Sequence, residues 1–296
     1  MGRKRSGKKR GKRSSRAPRK GQRSWWRWPT LVLAMGLGGS MLWWVGRWLV
    51  PPVPIELDFA QMQVLSRPLA PLLDLLGAVE GEYHSVNRGR AGDSPGRWAT
   101  SHLGMPITDM TLAQVRTHQA GADERCWFRG VAGAAGLFAV GRYQLIPCTL
   151  HGALRRVDGL TLEHKFDAAT QDGLAVYLLL VKRRRLGGWL LGYRHGYAAA
   201  AQELAQEFAS VPIQSRHRKC VRGQSYYCGD SAGNAALLSL DAVHAALHAA
   251  RAELEEDAEA AALIAEAEGI RGQLRRAAKA QIDTWILALK AAGEPE

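Results

Sequence analysis

The sequence predicts an α+β fold class: a mostly helical domain with a small loop-and-strand lobe, preceded by one transmembrane helix and followed by C-terminal helices. Three observations predict it. Residues 28–46 form an uncharged run flanked by Trp, and apolar positions recur at helical spacing from Pro68 onward. Residues 81–140, by contrast, are rich in Gly, Asn, Asp and Pro with little periodicity.

Charge defines the N-terminal end. Of 40 Lys and Arg, thirteen lie in residues 1–27 beside no acid, and Arg47 is a fourteenth. The rest carries 26 basic against 27 acidic residues, so the net charge of +13 belongs to the tail alone. That excludes a basic nucleic-acid-binding domain, and no nucleic-acid partner is expected. The tail is low-complexity Lys, Arg, Gly and Ser and is expected to be disordered, attracted to anionic headgroups of inner-membrane lipid.

The nineteen uncharged residues 28–46 span about 28 Å as a helix, close to a bilayer's hydrocarbon thickness. Trp25, Trp26 and Trp28 flank one side, and Trp43, Trp44 and Trp48 the other, as indoles do at membrane interfaces. Residues 28–50 are therefore expected to be a permanent single-pass anchor with a cytoplasmic N-terminus. A cleaved signal peptide fits less well, because the charged region is long and no small-x-small site follows. The remainder is expected in the periplasm, tethered to the bacterial inner membrane.

PPVP at 51–54 is stiff, and residues 51–67 read as a linker. The main domain is expected over 68–235. Leu69, Leu72, Leu73, Leu76 and Val79 predict its first helix, with Gly81 as the stop. Within 81–140, Thr111–Gln119 predicts a short helix and Gly136–Val140 a strand. Leu145–Arg156, the apolar Asp172–Lys182 and the Ala-rich Tyr197–Ala209 predict three more helices. The extension 236–296 carries a coiled-coil-like stripe of Leu240, Val243, Leu247, Ala250 and Leu254. Residues 241–268 hold eight acids and one base, whereas 269–292 hold five bases and one acid, with Gly269 and Gly272 between them. A charge-paired hairpin and one long helix broken in its middle are both consistent with this pattern, and the extension offers a surface to an envelope partner.

Cys126, Cys148, Cys220 and Cys228 all follow the membrane run. An even count in an oxidising compartment suggests two disulfides, with Cys126–Cys148 and Cys220–Cys228 the favoured connectivity. A zinc site is disfavoured: there is no C-x-x-C pair, and His217 is the only histidine nearby. No metal and no cofactor is expected.

The residue that draws chemistry is Glu80. It follows Leu76 by four, so it shares the apolar face of the first helix, and it stands at the negative end of the helix dipole. Both effects disfavour the ionised form, the condition a general acid needs near neutral pH. The plain alternative is the exposed last residue of a frayed helix. A second motif follows at Gly141, Arg142, Tyr143 and Gln144. There a Gly permits close backbone approach, Tyr143 supplies an aromatic face and hydroxyl, and Gln144 both donates and accepts. This set suits a carbohydrate.

Taken in order, LLDLLGAVEGEY (72–83), FAVGRYQLIP (138–147) and EFASVP (207–212) resemble the endolysin of bacteriophage lambda and its relatives, which are lysozyme-like lytic transglycosylases. The resemblance covers about residues 68–235. It implies a lysozyme-like domain that cuts peptidoglycan glycan strands, with Glu80 as the essential acid and Gly141, Arg142, Tyr143 and Gln144 in the substrate cleft. The SVNRG (85–89) and SYYCGD (225–230) runs look like features of a membrane-anchored branch and carry no assigned role. The implied reaction forms a 1,6-anhydromuramic end without water. A hydrolytic muramidase would instead need a second carboxylate about 5–9.5 Å away, for which Glu82, Asp93 and Asp109 are the candidates. A non-catalytic wall-binding scaffold is the reading from another class.

Overall fold

The computed structural model describes residues 56–89, 94, 97–119, 136–230 and 233–292. The chain divides into units 1–48 and 49–296, and every described residue belongs to the second. The expected anchor at 28–50 lies outside the described residues, among which no helix is long and apolar enough to cross a membrane.

Helix α1 (Phe59–Ser66) starts inside the stretch read as a linker. Asp58 and Gln61 form a reciprocal capping box, Oδ1 accepting from the Gln61 N–H at 2.8 Å and Gln61 Oε1 from the Asp58 N–H at 3.0 Å. Phe59, Met62 and Leu65 are buried at spacings of three. Two turns are too short for a periodicity signal, which is why the sequence pattern missed this helix; the domain therefore begins near Leu57. Helix α2 (Ala70–Glu80) buries Leu72, Leu73, Leu76 and Gly77, and the Gly81 N–H closes it on the Gly77 carbonyl at 3.2 Å.

The lobe that follows holds strand β1 (Val86–Asn87), helix α3 (Trp98–Leu103), a 3₁₀ turn (Ile107–Asp109), helix α4 (Leu112–His118) and strand β2 (Ala139–Val140). The strands pair antiparallel, Val86 opposite Val140 and Asn87 opposite Ala139. Thr111 and Gln114 cap α4 reciprocally, so the short helix lies where its boundary signals put it. The structure is thus mostly helical with a small two-stranded sheet, as the sequence predicts.

Helix α5 (Pro147–Leu154) leads to α6 (Ala168–Val176), which runs on as a π-helical stretch, Tyr177–Lys182. Tyr177 to Leu180 are all buried. Close packing of α1 on α6 needs Gly173, where a Cβ would stand 2.9 Å from the Phe59 ring. The chain then reverses into α7 (Arg184–Leu190), which the sequence reading did not anticipate. Glu203 of helix α8 (Tyr197–Glu207) accepts the first N–H groups of α7, from Arg185 at 2.8 Å and Leu186 at 3.1 Å. The buried Glu207 carboxylate receives Lys182 Nζ and Arg183 Nε, each at 2.6 Å. The basic run Arg183–Arg185 is in this way tied partly to α8.

Helix α9 (Leu240–Glu256) buries Val243, Leu247, Ala250 and Leu254, the predicted stripe, chiefly against α2. It is therefore part of the same core, not an appended extension. The break expected at Gly269 and Gly272 falls instead at Asp257, after which α10 (Ala258–Ala292) runs through both glycines. Asp257 Oδ1 accepts from the Glu259 and Ala260 N–H groups at 3.1 and 3.0 Å, while Oδ2 binds Arg67 at 2.8 Å. A side-chain cap with an ion-pair partner stops one helix and starts the next more firmly than a glycine, whose helical cost is only about 1 kcal/mol.

Candidate active site

Glu80 ends α2 and is half-buried. The Ser210 hydroxyl donates to its Oε1, and the Ser210 backbone N–H also stabilises the carboxylate. Burial raises the carboxyl pKa above its ordinary value, and the two Ser210 contacts oppose that rise without cancelling it. Among the described residues no other ionisable group contributes to this shift. Ser210 is 4% exposed. Its own carbonyl accepts from Leu237 and Leu238 at 2.8 and 3.1 Å, so the segment that bears it is anchored on both sides.

Gly81 turns the chain out of α2. A Cβ there would lie 2.9 Å from Ser85 Oγ and 3.4 Å from Gln144 Nε2, which sets Gln144 beside Gly81, the residue that follows Glu80. Ser85 Oγ accepts from the Glu82 N–H at 2.8 Å, and its carbonyl accepts from the Gly141 N–H at 2.7 Å. Gly141 (φ 75°) and Gln144 (φ 48°) are both left-handed, making a tight turn at the end of β2. Gln144 Nε2 donates to the Gly141 carbonyl at 3.0 Å and its Oε1 accepts from Asn87 Nδ2 at 2.6 Å. Glu80, Gly81, Ser85, Asn87, Gly141, Gln144 and Ser210 thus form one linked group.

The other two residues of the motif are spent on the scaffold. Arg142 lies along α2 so closely that a Cβ on Gly77 would be 2.1 Å from its Nε. Its Nη2 donates to Asp74 Oδ1 at 2.9 Å, and the guanidinium covers the Tyr83 ring at 5.0 Å. Tyr143 is 3% exposed and donates to Asp172 Oδ1 at 2.7 Å. Tyr83 donates to the same carboxylate at 3.0 Å. Burial first, and Asp172's bond and charge second, push the Tyr143 phenol far above its usual range. Both side chains lock the turn onto α2 and α6.

Three contributors were not read from sequence: Ser210, Asn87 and Gln171. Gln171 is fully buried; its Oε1 accepts from the Arg142 N–H at 2.8 Å, and its Nε2 donates to the Tyr83 and Phe166 carbonyls at 2.9 and 2.8 Å. For Ser210 the available signal was a lone polar side chain in the apolar run Phe208–Ile213. Of the second-carboxylate candidates, Glu82 and Asp109 are exposed, and Asp93 lies outside the described residues. Cys220 and Cys228 form the expected disulfide, with Cα atoms 5.7 Å apart. Cys148 sits in the first turn of α5, and its expected partner Cys126 lies outside the described residues. Among the described residues no group of three His, Cys, Asp or Glu is disposed to hold a metal ion.

Compared with known protein families, curated proteins and solved structures, the chain matches none of them.

Proposed function

We propose that this protein is a peptidoglycan lytic transglycosylase in which Glu80 is both general acid and general base. The observation that carries the reading is a half-buried carboxyl with a raised pKa, held by Ser210, with the Gln144–Asn87 amide pair against the adjoining Gly81. Such a group stays protonated to higher pH than an ordinary carboxyl, yet has bonds waiting for the anion it becomes.

In the proposed reaction Glu80 gives its proton to the oxygen linking N-acetylmuramic acid to N-acetylglucosamine, and the C1–O bond breaks. Positive charge develops at C1. The ionised Glu80, stabilised by Ser210, takes the proton of the sugar's own C6 hydroxyl as that oxygen bonds to C1. The muramic residue closes to its 1,6-anhydro form, and no water is consumed. One carboxyl suffices because the nucleophile belongs to the substrate, in keeping with the exposure of Glu82 and Asp109. Anchoring through residues 28–50 would confine this wall-cutting activity to the periplasmic face of the inner membrane.

The test is digestion of purified sacculi by the full chain in mild detergent, with products read by mass spectrometry. Anhydro ends are expected. Ordinary reducing ends would identify a hydrolytic muramidase, and binding without cleavage a wall-binding scaffold. Undiminished activity in Glu80→Gln would remove the site assignment.

A further inference from the structure

Three residues beyond Ser210 the chain enters a loop with an unusual concentration of uncompensated charge. The Ile213 N–H donates to the Gln224 carbonyl at 2.8 Å, the Gly223 N–H donates back to the Ile213 carbonyl at 3.0 Å, and the Cys220–Cys228 disulfide closes the far side. At the tip, the His217 and Cys220 backbones exchange hydrogen bonds at 3.0 and 2.9 Å around Arg218, held at φ 51°. Three hydrogen bonds tie the loop to α8: Gln202 Oε1 accepts the Gln214 and Ser215 N–H groups at 3.0 and 3.3 Å, and Tyr227 donates to the Gln206 carbonyl at 2.6 Å. The loop is a braced platform.

On it Arg216, Arg218, Lys219 and Arg222 are all exposed, and among the described residues none of the four forms an ion pair. Arg216 and Lys219 donate only to backbone carbonyls, at 3.3 and 3.0 Å. The α8 carboxylates already have cationic partners, Glu203 in Arg185 and Glu207 in Lys182 and Arg183. Four like charges within seven residues repel one another and favour an anionic partner.

We propose that this loop, residues 213–228, binds the acidic peptide stems of the wall polymer whose glycan lies at Glu80. The proposal rests on the peptidoglycan reading above. Reach supports it: Arg216 lies six residue steps beyond Ser210, at most about 20 Å even if extended. A stem of four or five residues extends about 14–17 Å from its sugar. The carboxylates of a stem on a sugar held at Glu80 therefore come within range of the loop. Exposed cation–carboxylate contacts are individually weak and screened by salt, so the loop acts as a sum of several.

The experiment uses the full chain in mild detergent with Glu80→Gln to prevent turnover, and follows co-sedimentation with intact sacculi or with sacculi stripped of stems by an amidase. The variant Arg216→Gln/Lys219→Gln/Arg222→Gln is expected to bind intact sacculi about tenfold more weakly at low salt and stripped glycan equally well. Arg216→Lys/Arg222→Lys retains binding, which separates lost charge from lost fold. Equal binding of the Gln variant and its parent to intact sacculi overturns the proposal, as does an equal loss on stripped glycan. A loss on phosphatidylglycerol vesicles but not on sacculi assigns the loop to the membrane instead. With Glu80 restored, stem-dependent binding without cleavage would sink the transglycosylase reading and leave the loop's role standing.

Discussion

Ser210 donates its hydroxyl to Glu80 across 130 residues of sequence, and that contact opposes the burial that disfavours ionisation of the carboxyl at the end of α2. Burial favours the protonated acid, while Ser210 favours the carboxylate, so the pair is poised between the two forms that acid–base chemistry requires.

Removing the hydroxyl takes away one opposing contact, so Ser210→Ala raises the Glu80 pKa further. The protonated acid is the form that starts the reaction, and activity falls as pH rises through its pKa. The alkaline limb of the pH–rate profile is therefore expected to move to higher pH. The maximum rate should drop about tenfold, since a hydrogen bond to a charged group is worth about 1.5–3 kcal/mol. An unmoved limb would mean that Ser210 does not tune Glu80.

Glu80→Gln should cost roughly a thousandfold in activity, within the 10²–10⁴ that general acids supply. Its effect on stability has the opposite sign. A carboxyl whose pKa is higher folded than unfolded contributes most below its unfolded value, near 4.5, and that contribution is lost as pH rises toward the folded value. Above that window the parent holds a half-buried charge and the Gln variant does not. The melting temperature of the variant is thus expected to exceed the parent's at pH 7–8 and to converge with it near pH 4. A difference independent of pH would refute the linkage.

Gly77 and Arg142 form a testable steric pair. Gly77→Ala places a methyl 2.1 Å from Arg142 Nε and should destabilise by about 1–3 kcal/mol. In an Arg142→Ala background the clash is gone and only helix propensity remains, so the same change should stabilise by about 0.5–1 kcal/mol. Chemical denaturation of the four proteins in this cycle checks the reversal of sign, and additive effects would show that Arg142 yields freely.

The disulfide closes a short loop, so Cys220→Ala/Cys228→Ala is expected to lower stability by about 2.5 kcal/mol on the chain-entropy estimate. Peptide mapping of the unreduced protein should recover Cys220 linked to Cys228 and Cys126 linked to Cys148, with no free thiol. Two free thiols from the second pair would contradict its predicted pairing and leave the first intact.

Much of the secondary structure was legible because its causes are local. The run Leu72, Leu73, Leu76 with Gly81 after it marks α2, and Thr111 with Gln114 marks α4. The missed helices are short. Phe59–Ser66 is two turns held by a capping box and by burial on α6, and Arg184–Leu190 has its first N–H groups capped by Glu203 of another helix. Sequence patterning also found the stripe on Leu240–Glu256 but not that α2 covers it. The four-residue motif at Gly141–Gln144 reads in sequence as one carbohydrate-binding set. Left-handed φ angles at Gly141 and Gln144 redirect its neighbours, so alternate side chains diverge, Gln144 to Asn87 and Arg142 to Asp74.

What the sequence alone determined is the mostly helical character with its small sheet, the helix on which Glu80 rides and the Cys220–Cys228 pairing, all written in spacings of a few residues. Only the tertiary structure decided that Ser210 meets Glu80, that Tyr143 is buried on Asp172 and that the C-terminal stripe completes the core. Those outcomes depend on which surfaces exclude water from one another, and burial is a property of the assembled chain that no short stretch contains.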